Sequence, residues 1–251
     1  MSADATVEAA ARLLDRARQV VALTGAGVST ESGLPDFRSP GGLWAGVDPM
    51  AVASLSAFQR EPQAFYDFYR RRLALLRDAR PNPAHLALAR LEAAGRLRAV
   101  ITQNVDGLHQ AAGSRRVLEL HGSLHRAACA TCGARRPIAE LEAALDRGAL
   151  PVCSACGGLL RPDVVLFEEL LPADVYAEAE ALCHRADVLL VVGSSLQVTP
   201  AASLPEVTLE AGGRLVIVNR EPTPLDHAAL VLRGRAGTIL PHLADRLLAA
   251  T

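Results

Sequence analysis

Short apolar runs alternate with longer segments of helical periodicity along most of the chain. The first run, Val20–Thr24, reads VVALT, which is typical of a strand buried on both faces. Similar runs predict strands at 20–24, 97–102, 117–120, 188–192, 215–219 and 230–232. Helical spacing and capping residues predict helices at 5–18, 62–77, 83–94, 173–184, 200–211 and 237–249. This alternation predicts an α/β fold with a mostly parallel, doubly wound sheet, whose ligands bind at the carboxyl ends of the strands.

Two stretches depart from the alternation. A Ser-Pro-Gly-Gly cluster at 39–42 ends one segment and precedes a helix crowded with aromatic and arginine side chains. Residues 126–160 contain paired cysteines and show little periodicity. We therefore expect residues 126–160 to be an insertion into the sheet-forming chain.

Composition narrows the class of protein. Half of the 251 residues are apolar and 21% are charged, which is typical of a folded globular chain. The net charge of −1 gives no indication of a nucleic-acid or membrane-surface partner. No apolar run has the roughly 18–20 residues of a membrane span, and the first residues lack the pattern of a signal peptide. We expect a cytoplasmic protein, in which the five cysteines serve as metal ligands or buried thiols.

A glycine-rich turn follows the first strand. Gly25-Ala26-Gly27 leads into a polar segment that can start a helix, and such a turn lets backbone N–H groups approach a pyrophosphate. Thr30 stands where the dinucleotide fingerprint has its third glycine, and no acidic residue closes a short second strand. The turn thus indicates a nucleotide site, but not the simplest NAD pattern.

Polar side chains also follow other predicted strands. They lie at Gly25–Thr30, Gln103–Asp106, Gly193–Ser195 and Asn219. Parallel strands bring these ends to one edge of the sheet, where we expect them to form one site. The loop Gly33–Arg38 adds Asp36, Phe37 and Arg38. It is either an ordinary surface loop or a loop on which a ligand stacks.

The cysteine spacing predicts a metal centre. Two Cys-x2-Cys pairs, each followed closely by glycine, supply Cys129, Cys132, Cys153 and Cys156. Four thiolates close a tetrahedral zinc site and leave no position for water, so the expected metal is structural Zn²⁺. The alternative is four unrelated buried thiols. Cys183 lies on a predicted helix and is interpreted as a core residue.

A resemblance to a known family runs along nearly the whole chain. The segments that carry it are, in order, GAGVS, GLPDFR, TQNVDGLH, HG, the cysteine pairs, RPDVVLF, GSSLQV and LVIVN. The chain resembles the sirtuin family of NAD-dependent protein-lysine deacylases, in its short bacterial and archaeal form. The resemblance implies a Rossmann-like domain from 1–40, 81–125 and 161–251. It also implies a smaller domain from a helical insertion at 41–80 and a zinc-binding module at 126–160.

The resemblance assigns roles residue by residue. His121 matches the family's general base, a role suited to an imidazole with a pKa near neutrality, although a lone histidine is more often a satisfied structural residue. The family's NAD contacts fall on Gly25, Ala26, Gly27, Thr30, Asp36, Phe37, Arg38, Gln103, Asn104, Val105, Asp106, Gly193, Ser194, Ser195, Asn219 and Ala236. The implied reaction passes the acyl group of an acyl-lysine peptide to ADP-ribose, releases nicotinamide and does not involve the zinc.

The resemblance also places the peptide along Val164, Val165, Phe167 and Glu168, on a strand that pairs with the substrate. Glu168 stands where the family usually has glycine. Facing the cleft, it should favour peptides with Lys or Arg beside the acyl-lysine; pointing to solvent, it should change nothing. Tyr69 and Arg72 have the spacing found in the acyl pocket of desuccinylases, although the surrounding helix fits the deacetylase branch better.

Other functions stay open at this point. The same activation of NAD can deliver ADP-ribose to a protein nucleophile, as a mono-ADP-ribosyltransferase does. A non-catalytic NAD-sensing or zinc-ribbon module is a further alternative. His121, Asn104 and Asp106 argue against that last alternative, because all three are present.

Overall fold

The computed structural model describes residues 3–249, which form an α/β fold. The strands are β1 Val20–Thr24, β2 Ala99–Thr102, β3 Val117–Glu119, β4 Gly122–Cys129, β5 Arg135–Pro137, β6 Leu160–Val164, β7 Val188–Val192, β8 Arg214–Asn219 and β9 Ala229–Arg233. The helices are α1 Ala3–Arg16, α2 Pro49–Ala53, α3 Leu55–Arg60, α4 Pro62–Asp78, α5 Pro83–Ala93, α6 Leu108–Ala111, α7 Ile138–Asp146, α8 Ala173–Arg185, α9 Leu204–Glu210 and α10 Ala236–Ala249.

Six parallel strands form the main sheet, in the order β3-β2-β1-β7-β8-β9. The order of strands reverses between β1 and β7, which is the switch point where doubly wound folds bind their ligands. Every residue of β1 and β7 is buried, because helices cover both faces of the sheet. The predicted doubly wound parallel sheet is confirmed.

Alternate residues of the strands build two separate apolar cores. Val20 and Ala22 belong to the core that also contains residues of α1, α5 and α10. Val21 and Leu23 belong to the core on the other face, with residues of α8 and α9. A third core joins aromatic residues of α3 and α4 to the small antiparallel sheet β5-β4-β6 and to α7. The helical segment and the cysteine-rich segment therefore pack as one unit.

Most predicted elements agree with the structure to within two residues at each end. The helix predicted at 200–211 differs, because residues 201–203 form a 3-10 turn and α9 begins at Leu204. The helix expected after Gly27 is absent, and two 3-10 turns stand in its place. Helix α7 was not predicted. The small sheet begins at Gly122 and ends at Val164, beyond the predicted limits of 126–160, so the division into domains stays a prediction.

None of the helices among residues 3–249 combines the length and the apolar character needed to cross a membrane.

Candidate active site and metal centre

Three glycines bring the ends of β1 and β7 into direct contact. The Gly25 N–H donates to the Val192 carbonyl at 3.0 Å, and the Gly27 N–H donates to the Gly193 carbonyl at 2.8 Å. A Cβ on Gly27 would lie 2.8 Å from the Gly193 oxygen, which is too close for any larger residue. The two turns can meet only because these positions lack side chains.

Backbone donors remain free at this junction. The N–H groups of Gly25, Gly27, Val28 and Ser29 all donate to backbone carbonyls within the turn or across to β7. Those of Ala26 and Thr30 have no partner among residues 3–249. Because no helix follows, the anion-binding capacity expected here comes from these two donors rather than from a helix dipole. Free donors beside a glycine junction fit a pyrophosphate.

A buried network fixes the polar residues at the end of β2. The Ser29 hydroxyl donates to Asp106 Oδ2 at 2.7 Å and accepts from Asn104 Nδ2 at 3.1 Å. Asn104 Nδ2 also donates to the Gly25 carbonyl at 3.2 Å. All three side chains are buried, so their orientations are set before any ligand binds. Sequence reasoning missed Ser29, although it is the polar residue that ends GAGVS.

Two buried histidines extend this network, and sequence reasoning missed both. His85 Nε2 lies 3.4 Å from the Ser29 hydroxyl, and its Nδ1 accepts the Asn82 N–H at 3.3 Å. The rings of His85 and His109 are 4.8 Å apart, and His109 Nε2 bonds the Thr24 hydroxyl at 2.9 Å. Burial lowers the pKa of His109 to about 3, with the His85 charge as a second cause. Burial also lowers the pKa of His85, so both imidazoles are neutral near pH 7.

His121 lies in the two-residue link between β3 of the main sheet and β4 of the small one. Its Nδ1 is 2.8 Å from the Gln103 carbonyl, which can only accept a hydrogen bond, so Nδ1 carries the proton. Nε2 is then the unprotonated nitrogen. Burial lowers the pKa of His121, and the bond to Gln103 offsets part of that effect. A neutral imidazole with a free Nε2 is the form that a general base requires.

Six of the residues singled out from the sequence line one cleft. They are Ala26, Phe37, Arg72, Asn104, Val105 and Asp106. The Phe37 ring packs on Trp44 with centroids 5.3 Å apart, which gives the loop an aromatic anchor. Asp36 Oδ1 accepts the N–H groups of Arg38 and Ser39 at 3.0 and 2.8 Å, so this side chain shapes the loop.

The remaining predicted NAD contacts are not among the residues that line this cleft. Gln103 Nε2 donates to the Ser194 hydroxyl at 2.9 Å and thereby joins the ends of β2 and β7. Ser195 follows in the same turn. Asn219 ends β8 and donates to the Glu221 carbonyl at 2.8 Å, while Ala236 is a buried residue that begins α10. Their roles toward NAD stay predictions.

Arg72 occupies the cleft without a carboxylate partner. Its guanidinium lies 5.5 to 5.8 Å from the ring centroids of Tyr69, Phe37 and Phe68. It also interacts with the Tyr69 hydroxyl, whose pKa burial raises. No ion pair to Arg72 exists among residues 3–249. A cation held on aromatic faces at the wall of a cleft is available to a ligand.

The segment after β6 differs from the expected strand. Strand β6 ends at Val164, and the Val165 N–H donates to the His121 carbonyl at 2.9 Å. Phe167 makes a single parallel bridge with Ser54. Glu168 has φ +75°, a left-handed conformation that favours glycine, and its carboxylate binds Ser56 of α3. Of the residues expected on the substrate-pairing strand, only Val164 lies in β6, and the role of Val164, Val165, Phe167 and Glu168 toward the peptide stays a prediction. The Glu168 carboxylate, although exposed, is engaged by the protein.

The four predicted ligand cysteines lie together. All four Sγ atoms are within 4.8 Å of one another, with 3.5 Å between Cys129 and Cys156 and 3.9 Å between Cys132 and Cys153. Tetrahedral zinc with bonds of about 2.3 Å places its sulfurs about 3.8 Å apart, so these distances fit a closed four-thiolate site.

Comparison with known proteins gives a consistent result. The sequence profile of the Sir2 family matches residues 25–200. NAD-dependent protein deacylase 2 of Pyrobaculum aerophilum is 48% identical over 242 residues, which cover 94% of each chain. NAD-dependent protein deacylase of Thermococcus kodakarensis is 48% identical over 242 residues, covering 95% of this chain and 94% of that protein.

Solved structures extend the likeness to three dimensions. A crystal structure of a Sir2 homolog–NAD complex has a TM-score of 0.91 at 43% identity, covering 97% of this chain and 94% of that chain. A Sir2–p53 peptide–NAD+ structure has a TM-score of 0.85 at 40% identity, covering 95% of each chain.

Proposed function

The chain belongs to the Sir2 family, and from that premise we propose that it is an NAD-dependent protein-lysine deacylase. The observation that carries the proposal is the state of His121, a neutral imidazole with Nδ1–H bonded to Gln103 and Nε2 free. Its partner Gln103 directly precedes Asn104, which lines a cleft whose polar residues are already oriented. NAD complexes among close structural relatives support the cofactor.

The chain's own residues would divide the work as follows. The N–H groups of Ala26 and Thr30 are placed to hold a pyrophosphate, and Asn104 and Asp106 present fixed polar atoms to the cleft. NAD, when bound, would supply the ribose that accepts the acyl group. His121 Nε2 would take a proton from a ribose hydroxyl, which makes that hydroxyl a better nucleophile. The acyl-lysine peptide, NAD and one water would together give free lysine, nicotinamide and O-acyl-ADP-ribose.

Mass spectrometry tests this proposal in one reaction. Protein, NAD and an acetyl-lysine peptide should give deacetylated peptide together with nicotinamide and O-acetyl-ADP-ribose. ADP-ribose attached to a protein, with the peptide unchanged, would favour mono-ADP-ribosyl transfer. An unchanged mixture would refute both enzyme functions and leave a binding module.

A second candidate concerns the acyl group. The unpaired Arg72 guanidinium and the Tyr69 hydroxyl favour an acyl chain that ends in a carboxylate, such as succinyl. A charged terminus would pair with Arg72 in a partly desolvated cleft, whereas acetyl would bring no opposite charge to this cation. Rates on matched acetyl- and succinyl-peptides distinguish the two preferences.

We also propose that Cys129, Cys132, Cys153 and Cys156 hold one structural Zn²⁺, and that the protein acts in the cytoplasm on acyl-lysine proteins. The four-sulfur geometry supports the metal. A Sir2–peptide structure among the relatives supports a peptide substrate. The absence of a marked net charge and of an apolar run long enough to span a membrane supports a site of action away from nucleic acid and membranes.

A further inference from the structure

Residues 165–168 are fastened to the helical segment by four hydrogen bonds. The Phe167 N–H donates to the Ala53 carbonyl, and the Leu55 N–H donates to the Phe167 carbonyl, both at 3.1 Å. Glu168 completes the set, because Oε2 accepts the Ser56 N–H at 2.8 Å and Oε1 accepts the Ser56 hydroxyl at 3.0 Å. One short stretch of chain thus binds both ends of the α2–α3 junction.

Glu168 makes these contacts from an unfavourable backbone. Its φ of +75° lies in the left-handed region, which side chains other than glycine, asparagine and aspartate rarely adopt. Glycine would occupy the position without strain but would leave both Ser56 donors without this acceptor. The conformation persists here because the neighbouring bonds over-determine it. The carboxylate therefore offsets a backbone cost that a glycine would not have.

The fastened stretch touches both sides of the active site. On one side, Val165 is bonded to the backbone of His121. On the other, the Phe167 ring lies 6.1 Å from Trp44, which packs on the cleft residue Phe37 at 5.3 Å. Residues 165–167 therefore lie between the backbone of the proposed general base and Trp44, the aromatic anchor of the Phe37 loop.

We propose that Glu168 is a positioning residue: its carboxylate latches α3 to residues 165–168 and so fixes the part of the cleft that receives the acyl-lysine peptide. We name the pair Glu168–Ser56 the latch. The expected effect on peptide binding rests on the proposed deacylase function. The latch itself is a contact between two segments and does not depend on that function. Because Glu168 does not contact the reacting atoms, loss of the latch should weaken peptide binding rather than chemistry.

Steady-state kinetics of Glu168→Gly test the consequence. Glycine suits the backbone, so this variant folds, yet it removes the latch. We expect KM for the peptide to rise about three- to tenfold, with kcat and KM for NAD within about twofold of wild type. Glu168→Gln keeps one acceptor oxygen and should restore part of the loss. Glu206→Gln, an exposed change on α9, is the matched control and should leave all constants unchanged.

A double-mutant cycle tests the pairing. Ser56→Ala alone should raise the peptide KM less than Glu168→Gly does, because it keeps the Ser56 N–H. Ser56→Ala added to Glu168→Gly should have no further effect, since both substitutions disrupt the same contact. Additive effects, an unchanged peptide KM in Glu168→Gly, or a fall in kcat alone would each overturn the proposal.

Hydrogen exchange separates the latch from the function. Amides of α3 should exchange faster in Glu168→Gly than in wild type or Glu206→Gln, whether or not the protein deacylates peptides. Equal exchange would refute the latch even in an active enzyme. If α3 exchanges faster in Glu168→Gly but the wild-type protein has no NAD-dependent activity, the contact stands, whereas the proposed function and the positioning role are both refuted.

Discussion

The buried pair His85–His109 should make the protein acid-sensitive in a way that one substitution can isolate. His109 has its pKa lowered to about 3 from an ordinary value of 6.5, chiefly by burial and secondly by the His85 charge. Its Nδ1 has no hydrogen-bond partner among the described residues. Protonating this ring in the folded protein would therefore place an uncompensated charge in the interior.

The sign follows from the two states of the chain. Below about pH 6.5 the unfolded chain binds a proton on His109 and the folded chain does not, so the free energy of unfolding falls as the pH falls. Each unit by which the pH falls between the two pKa values lowers the free energy of unfolding by about 1.4 kcal/mol. His109 alone should thus lower the free energy of unfolding by about 2 kcal/mol at about pH 5. It should continue to destabilise the folded protein down to about pH 3.

Urea denaturation of wild type and His109→Gln, with zinc present throughout and the pH varied from about 8 to about 5, measures this contribution. Glutamine keeps a polar group near the Thr24 hydroxyl but does not titrate. We expect wild type to lose about 2 kcal/mol more than the variant over this range. His242→Gln, which removes an exposed imidazole from α10, should behave as wild type. Equal pH dependence in wild type and His109→Gln would refute a neutral, buried His109.

Four further predictions concern activity and metal. His121→Ala should lower kcat by about 10²–10⁴-fold while calorimetry shows NAD affinity nearly retained, and near-wild-type turnover would contradict the base assignment. Because burial lowers the pKa of His121, wild-type activity should persist below pH 6.5 and fall only as the pH passes that lowered value, as a pH–rate profile would show. Arg72→Met should reduce kcat/KM on a succinyl-peptide by about tenfold or more and on an acetyl-peptide far less; parallel losses would argue against an acyl-recognition role. Metal analysis should find about one zinc per chain, and Cys156→Ala should lose it and unfold the small sheet locally, whereas a metal-free native protein would refute the site.

The sheet and the metal centre were predictable because their signals are local. A buried strand such as β1 is a continuous apolar run, and the cysteine pairs carry their spacing within a few residues. The polar cluster at the strand ends followed from one general rule about parallel sheets. Each of these features can be read without knowing which distant segment packs against it.

The parts that were missed depend on distant pairs. Ser29 meets Asp106 across 77 residues of sequence, and Thr24 meets His109 across 85. Neither His85 nor His109 lies in a local sequence pattern that distinguishes it from a surface residue. Glu168 meets Ser56 across 112 residues, and its left-handed backbone becomes intelligible only beside that partner. Such tertiary contacts determine the roles of side chains, and these contacts cannot be predicted from a short stretch of sequence.

The proposed zinc site and the proposed general base are connected by a single strand. Strand β4 begins at Gly122, directly after His121, and ends at Cys129, the first of the four clustered cysteines. Gly122 has φ +77°, and a Cβ there would lie 2.2 Å from the Asp163 carbonyl oxygen, so the backbone after His121 packs tightly on β6. The Tyr66 hydroxyl further ties α4 to β6 by donating to the Leu160 carbonyl at 2.7 Å. The proposed zinc, although it would leave no coordination position open, should therefore still be required for activity, because it would hold the far end of the strand that follows the proposed base.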